Sequence, residues 1–146
     1  RLTDVTGVQT CALPIFSQWA AVEALTGDQT VLAGMLEAFD RRRNFVVNDL
    51  NTIPGISCYK PEGAFYAFPR VSGIYDLKGW AKVSEKYKDT YKSSILCAYL
   101  MEEARTAVVP GIGFGSDDYI RISFATSDAK LKEGLKRIRD AVEKLC

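Results

Sequence analysis

Tyr119-Ile120-Arg121-Ile122-Ser123-Phe124 alternates strictly. Ile120, Ile122 and Phe124 fall on one side of an extended chain, and Tyr119, Arg121 and Ser123 on the other. The run therefore reads as a short strand with one core face. Its opposite face carries a single guanidinium among neutral groups. A strand fixes the direction of its side chains, which places Arg121 to receive an anion, and we read it as a carboxylate binder. Periodicity alone favours a surface arginine on a half-exposed strand, and the pattern around the strand reverses that balance.

Just upstream, Val109-Pro110-Gly111-Ile112-Gly113-Phe114-Gly115 puts a glycine-rich loop after Ala107-Val108-Val109, which reads as a brief buried strand. A phosphate or dinucleotide cradle needs a helix to start directly on such a loop. Asp117-Asp118 and the strand follow instead, and two carboxylates would repel a phosphate, so that reading is rejected. Glycines beside Arg121 rather permit close approach of backbone to a small ligand.

The remaining segments alternate helix and strand. Ser127 is expected to cap a last helix whose Leu131, Leu135, Ile138, Val142 and Leu145 form one apolar stripe. Residues 90–104 have helical periodicity through Ile95, Leu96, Tyr99 and Leu100. Residues 56–60 and 64–68 read as a hairpin turning at Pro61-Glu62-Gly63, with aromatics on both faces of its second strand pointing to burial on both sides. Ser17 is expected to cap a short helix over 18–25, and Asp28 a long one reaching Ile53, where Pro54-Gly55 stops it. At 1.5 Å per residue that helix would run about 36 Å, which suits a bridge between domains. Residues 71–92 read as a surface segment with a short helix and solvated lysines, and Arg41-Arg42-Arg43 as a solvated helix face. The sum is an α/β fold with helices packed over a small sheet.

Composition bounds the chemistry. The 146 residues suffice for one domain with a core, and 47% hydrophobic with 25% charged residues marks a folded globular chain. Nineteen basic against eighteen acidic residues leave a charge of +1, so no global field recruits nucleic acid or a membrane surface. Histidine is absent, which removes the commonest general base and metal ligand. Cys11, Cys58, Cys97 and Cys146 form no C-x-x-C pair, poor material for a zinc site or disulfide framework and suited to a reducing cytosol. No apolar run approaches the roughly 20 residues of a membrane span. Metal, nucleic acid and membrane are therefore not expected as partners.

Residues 5–15, Val-Thr-Gly-Val-Gln-Thr-Cys-Ala-Leu-Pro-Ile, resemble the translation of a common sequencing-adapter oligonucleotide. On that resemblance residues 1–16 are an artefactual leader, and Cys11 carries no functional weight.

From residue 17 to 145 the sequence resembles the C-terminal part of class I pyridoxal-phosphate-dependent aminotransferases, nearest to the bacterial and plant-type aspartate aminotransferases of subgroup Ib. The residues that carry the resemblance are Gln18-Trp19-Ala20-Ala21-Val22-Glu23-Ala24-Leu25, Arg41-Arg42-Arg43 and Pro61-Glu62-Gly63-Ala64-Phe65-Tyr66. They continue through Ala107-Val108-Val109-Pro110-Gly111, Phe114-Gly115 and Tyr119 to Ala125. The resemblance implies the small C-terminal domain of a fold-type-I enzyme over 17–146, with a long helix over about 28–53 and the small domain over about 54–146.

Such a family implies transfer of an amino group between an L-amino acid, aspartate or glutamate, and a 2-oxo acid, with pyridoxal 5'-phosphate as cofactor. The arginine of its Tyr-x-Arg-x-Ser strand, here Arg121, takes the substrate α-carboxylate. The family's cofactor lysine belongs to a Ser-x-x-Lys segment upstream, and none precedes Ser17. No catalytic or cofactor-binding residue is therefore expected in this chain, which would be inactive alone. The full-length parent is expected to be a cytoplasmic homodimer. Alternatives are a prephenate, aromatic or alanine aminotransferase, or a free-standing domain that binds a carboxylate or a protein partner.

Overall fold

The computed structural model describes residues 14–146, and the chain divides between Glu37 and Ala38 into two compact units. In the first unit, helix α1 (Pro14–Thr26) opens on a proline, whose fixed φ suits a first helical turn and whose missing N–H is not needed there. The helix therefore starts ahead of Ser17, which lies inside it instead of capping it. Of the leader expected at 1–16, residues 14–16 belong to α1, and the remainder, with Cys11, lies outside the described residues. Asp28 precedes helix α2 (Thr30–Leu50) and accepts the Thr30 N–H and hydroxyl at 2.9 and 2.7 Å. Those bonds hold its carboxyl below the usual range.

α2 ends at Leu50 rather than Ile53. Thr52 and Ile53 donate their N–H groups three residues back, to Asp49 and Leu50, at 3.1 Å each. That tighter winding closes the helix before Pro54 is reached.

The second unit is built on a three-stranded antiparallel sheet of order β1-β3-β2, from β1 (Tyr66–Ala67), β2 (Val109–Pro110) and β3 (Ile120–Ser123). Ile120, Ile122 and Phe124 are buried, Arg121 is half-buried and Ser123 exposed, as the alternation predicts. Tyr66 pairs with Ser123 and Val109 with Arg121. Pro110 sits on an edge strand, where a missing N–H costs no ladder bond. Because β2 is an edge, Val109 is 40% exposed, and the strand expected to be buried at 107–109 is a surface one.

The expected hairpin does not form. The Asn51 side chain takes both backbone groups of Cys58, accepting its N–H at 2.8 Å and donating to its carbonyl at 2.9 Å. Only Ser57 of the first segment pairs, with Arg70, and the second segment pairs with β3 instead. Nor are the aromatics of that segment buried on both sides. Phe65 and Phe68 are exposed while Ala67 is fully buried, because β1 is the other edge of the sheet.

Three helices complete the unit: α3 (Trp80–Tyr87), α4 (Lys92–Glu103) and α5 (Asp128–Glu143). Residues 71–92 are more than a surface segment. Val71, Ile74, Trp80 and Val83 are buried while the lysines stay exposed, so one face of the segment is core. α5 starts at Ser127, whose Oγ accepts the Lys130 N–H at 3.4 Å, and its predicted stripe is buried throughout. The Tyr99 hydroxyl donates to the Ala141 carbonyl at 2.8 Å, tying α4 to α5. The three arginines of α2 are not simply solvated. Arg41 and Arg42 pair with Asp128 in the first turn of α5, at 2.9 and 2.8 Å, and Arg43 pairs with Asp40. Asp128 also complements the positive end of α5.

Candidate functional site

Arg121 occupies the middle of the central strand, and two aromatic rings meet its guanidinium. The Cζ atom lies 4.4 Å from the centroid of the Tyr66 ring and 4.4 Å from that of Phe114. Tyr66 stands across from Ser123 on β1, the diagonal neighbour of Arg121 on the same face of the sheet. Phe114 ends a 3-10 turn, Gly111–Phe114, that follows β2, and β2 pairs Val109 with Arg121. The two rings thus come from the elements on either side of β3.

A ring attracts a guanidinium by its charge, which leaves N–H donors available for an oxygen acceptor. Among the described residues, carboxylates take Arg41, Arg42, Arg43, Arg70, Arg137 and Arg139, and none takes Arg121. This half-buried fork is suited to a planar two-oxygen anion.

A second layer of rings supports the first. Phe68 stacks on Tyr119 with centroids 5.0 Å apart and meets Phe114 edge-on at 6.0 Å. Phe65 lies 4.4 Å from Tyr66.

The loop that carries Phe114 folds back onto β3. The Gly111 N–H donates to the Tyr119 carbonyl at 2.9 Å, and the Ser116 N–H donates to the Gly111 carbonyl at 3.1 Å. A Cβ at Gly111 would collide with the carbonyl oxygens of Tyr119 and Ser116. Gly115 adopts φ +85°, which ends the turn in a conformation glycine tolerates best. At Gly111 the glycine thus admits backbone to backbone, not backbone to ligand, while Gly113 and Gly115 face open space.

Asp117 anchors the same loop to α4. Its carboxylate accepts the N–H groups of Lys92 and Ser93 at 2.9 and 2.8 Å and the Ser93 hydroxyl at 2.7 Å. Ser93 Oγ in turn accepts the Ile112 N–H at 3.3 Å. Burial alone would raise the Asp117 carboxyl, but the bonds from Ser93 and Lys92 outweigh it and hold the group below the usual range. Asp117 is therefore a remote cap of α4. The Tyr75 hydroxyl donates to the Asp117 carbonyl at 2.9 Å, and burial, with Asp117 and Asp118 nearby, pushes that phenol up.

Tyr66, Phe114 and Asp117 were not predicted as parts of the site. Alternation from Ala67 would have put Tyr66 on the outer face, whereas Phe114 and Asp117 lie in a loop without periodicity.

The lysines all stand at the surface. The Lys86 ammonium is held protonated, its pKa pushed up to about 12 by hydrogen bonds to Glu102 and Tyr87, and that of Lys136 is raised by Asp140. An imine-forming lysine needs the opposite shift and a sheltered position. The described residues therefore hold no sheltered lysine of this kind. Among them no group of three His, Cys, Asp or Glu side chains could hold a metal. No helix is long and apolar enough to cross a membrane.

The model of the aminotransferase class I and II family matches residues 6–138. An aspartate aminotransferase of Rhizobium meliloti is 47% identical over 129 residues, covering 88% of this chain and 30% of that protein. An aspartate/prephenate aminotransferase of Nitrosomonas europaea is 43% identical, covering 84% of this chain and 30% of its own length. The crystal structure of the aspartate aminotransferase from Rhizobium meliloti superposes with a TM-score of 0.77 at 45% identity, over 89% of this chain and 31% of that one. The chain thus spans about 30% of the length of the curated relatives it matches.

Proposed function

The chain belongs to the class I and II aminotransferases, and from that premise we propose that it is the small-domain portion of a transaminase in which Arg121 takes the substrate α-carboxylate. The donor we propose is aspartate or glutamate and the acceptor a 2-oxo acid, with pyridoxal 5'-phosphate as the cofactor of the longer protein and a homodimer as its working form. The single observation that carries the reading is the Arg121 fork, clasped by two rings and unclaimed by any carboxylate of the described residues. Two parallel N–H···O bonds fix the rotation of a carboxylate, and so the direction of the bonds on the adjoining carbon. Such orientation is what this chain's residues contribute. The cofactor, when bound in the longer protein, supplies the electron sink, and none of the present residues fits it. This piece alone is therefore expected to be inactive.

Prephenate in place of a simple 2-oxo acid is a second reading, favoured by the similarity to the aspartate/prephenate aminotransferase of Nitrosomonas europaea. The shared step, carboxylate capture by Arg121, is tested by an amide NMR titration of the chain with succinate. We expect saturable shifts confined to β3, Tyr66 and the 111–116 loop, and their loss in Arg121→Ala. Shifts scattered over the exposed lysines, or kept in Arg121→Ala, would overturn the reading.

A further inference from the structure

We infer that Tyr66 and Phe114 are positioning residues that hold the Arg121 fork in its binding geometry before any ligand arrives, an inference that rests on the carboxylate reading of Arg121. An unsupported arginine samples many rotamers and must be ordered when it binds, which weakens the complex. Here both ring centroids stand 4.4 Å from Cζ, close enough for the attraction between a cation and an aromatic face. That attraction is to the charge and asks for no N–H donor, so the rings restrain the group without competing with a carboxylate.

The rings are themselves restrained. Tyr66 lies in β1, paired with β3, and packs on Phe65. Phe114 meets Phe68 edge-on, and Phe68 stacks on Tyr119. The loop under Phe114 is fixed by the Gly111 bond to Tyr119 and by the Ile112 bond to Ser93, whose hydroxyl Asp117 holds. Phe114 is nevertheless 49% exposed. A large apolar ring left half in water, on a glycine-flanked turn, contributes little core burial; what it contacts is the guanidinium and Phe68.

The test uses the full chain labelled with 15N and follows the Nε–Hε resonance of Arg121, assigned by its disappearance in Arg121→Lys. Expected are a ring-current shift and restricted motion in the wild type. Tyr66→Leu and Phe114→Leu should abolish both and weaken succinate binding on the order of tenfold each. Tyr66→Phe and Phe114→Tyr, which keep the ring, should keep both. An Arg121 resonance at the ordinary position, and as mobile in the wild type as in the leucine variants, overturns the inference, and it can be read even if a leucine variant fails to fold. Succinate binding lost in Arg121→Lys but unchanged in both leucine variants overturns the positioning role and leaves the carboxylate reading standing. Binding unchanged in Arg121→Lys overturns the carboxylate reading, and the role of the rings with it.

Discussion

Phe114 holds its ring centroid 4.4 Å from the guanidinium carbon of Arg121, although one residue belongs to a 3-10 turn and the other to the central strand. The turn reaches the strand because the Gly111 N–H bonds the Tyr119 carbonyl, and it stays there because Asp117 ties the segment to the start of α4. The candidate site is thus a strand residue finished by a loop.

Asp117→Ala should cost about 1–3 kcal/mol in unfolding free energy at neutral pH. It removes the cap of α4 and leaves the N–H and hydroxyl of Ser93, a fully buried residue, without their acceptor. The folded carboxyl lies below its ordinary value of 3.8, so its stabilisation is complete above that pH and fades as the pH falls through the lower folded value. Urea unfolding from neutral pH into that acid range should therefore show the wild type losing more stability than the variant. Parallel curves would contradict the assignment.

Gly111→Ala places a methyl against the carbonyl oxygens of Tyr119 and Ser116. Backbone cannot yield as a flexible side chain does, and the expected loss is about 1–3 kcal/mol. Gly113→Ala, with nothing near its added carbon, should change the melting temperature little. Comparing the two variants by thermal unfolding separates steric need from a general dislike of substitution in the loop.

Much of this was legible because periodicity records burial. The alternation around Arg121 gave β3, and the stripe from Leu131 to Leu145 gave α5, both with the correct inner face. Pairing was less legible. Residues 56–60 have strand composition, but a side chain seven residues earlier, Asn51, occupies the backbone of Cys58. No local pattern encodes that choice. The same holds at the site. Arg121 was identifiable as a lone cation on an alternating run, whereas Tyr66, Phe114 and Asp117 join it through sheet register and loop closure, which depend on partners distant in sequence.

Pyridoxal phosphate offered to this chain, followed by borohydride reduction and peptide mapping by mass, should give only scattered, unsaturable lysine adducts. Every lysine is exposed, and the Lys86 and Lys136 ammonium groups are held protonated by Glu102 and Asp140. A saturable adduct on one lysine would show a cofactor site in these residues and contradict the division of labour proposed for the longer protein.

The most direct test of the central claim is calorimetric titration of the chain with succinate, wild type against Arg121→Lys. Lysine keeps the charge but loses the planar fork and most of its stacking on Tyr66 and Phe114. The account predicts binding weaker by on the order of tenfold or more in the variant, about 1.4 kcal/mol for each factor of ten. Equal affinities for the two proteins would mean that charge alone attracts the ligand and would contradict the claim that the planar fork of Arg121 captures the carboxylate.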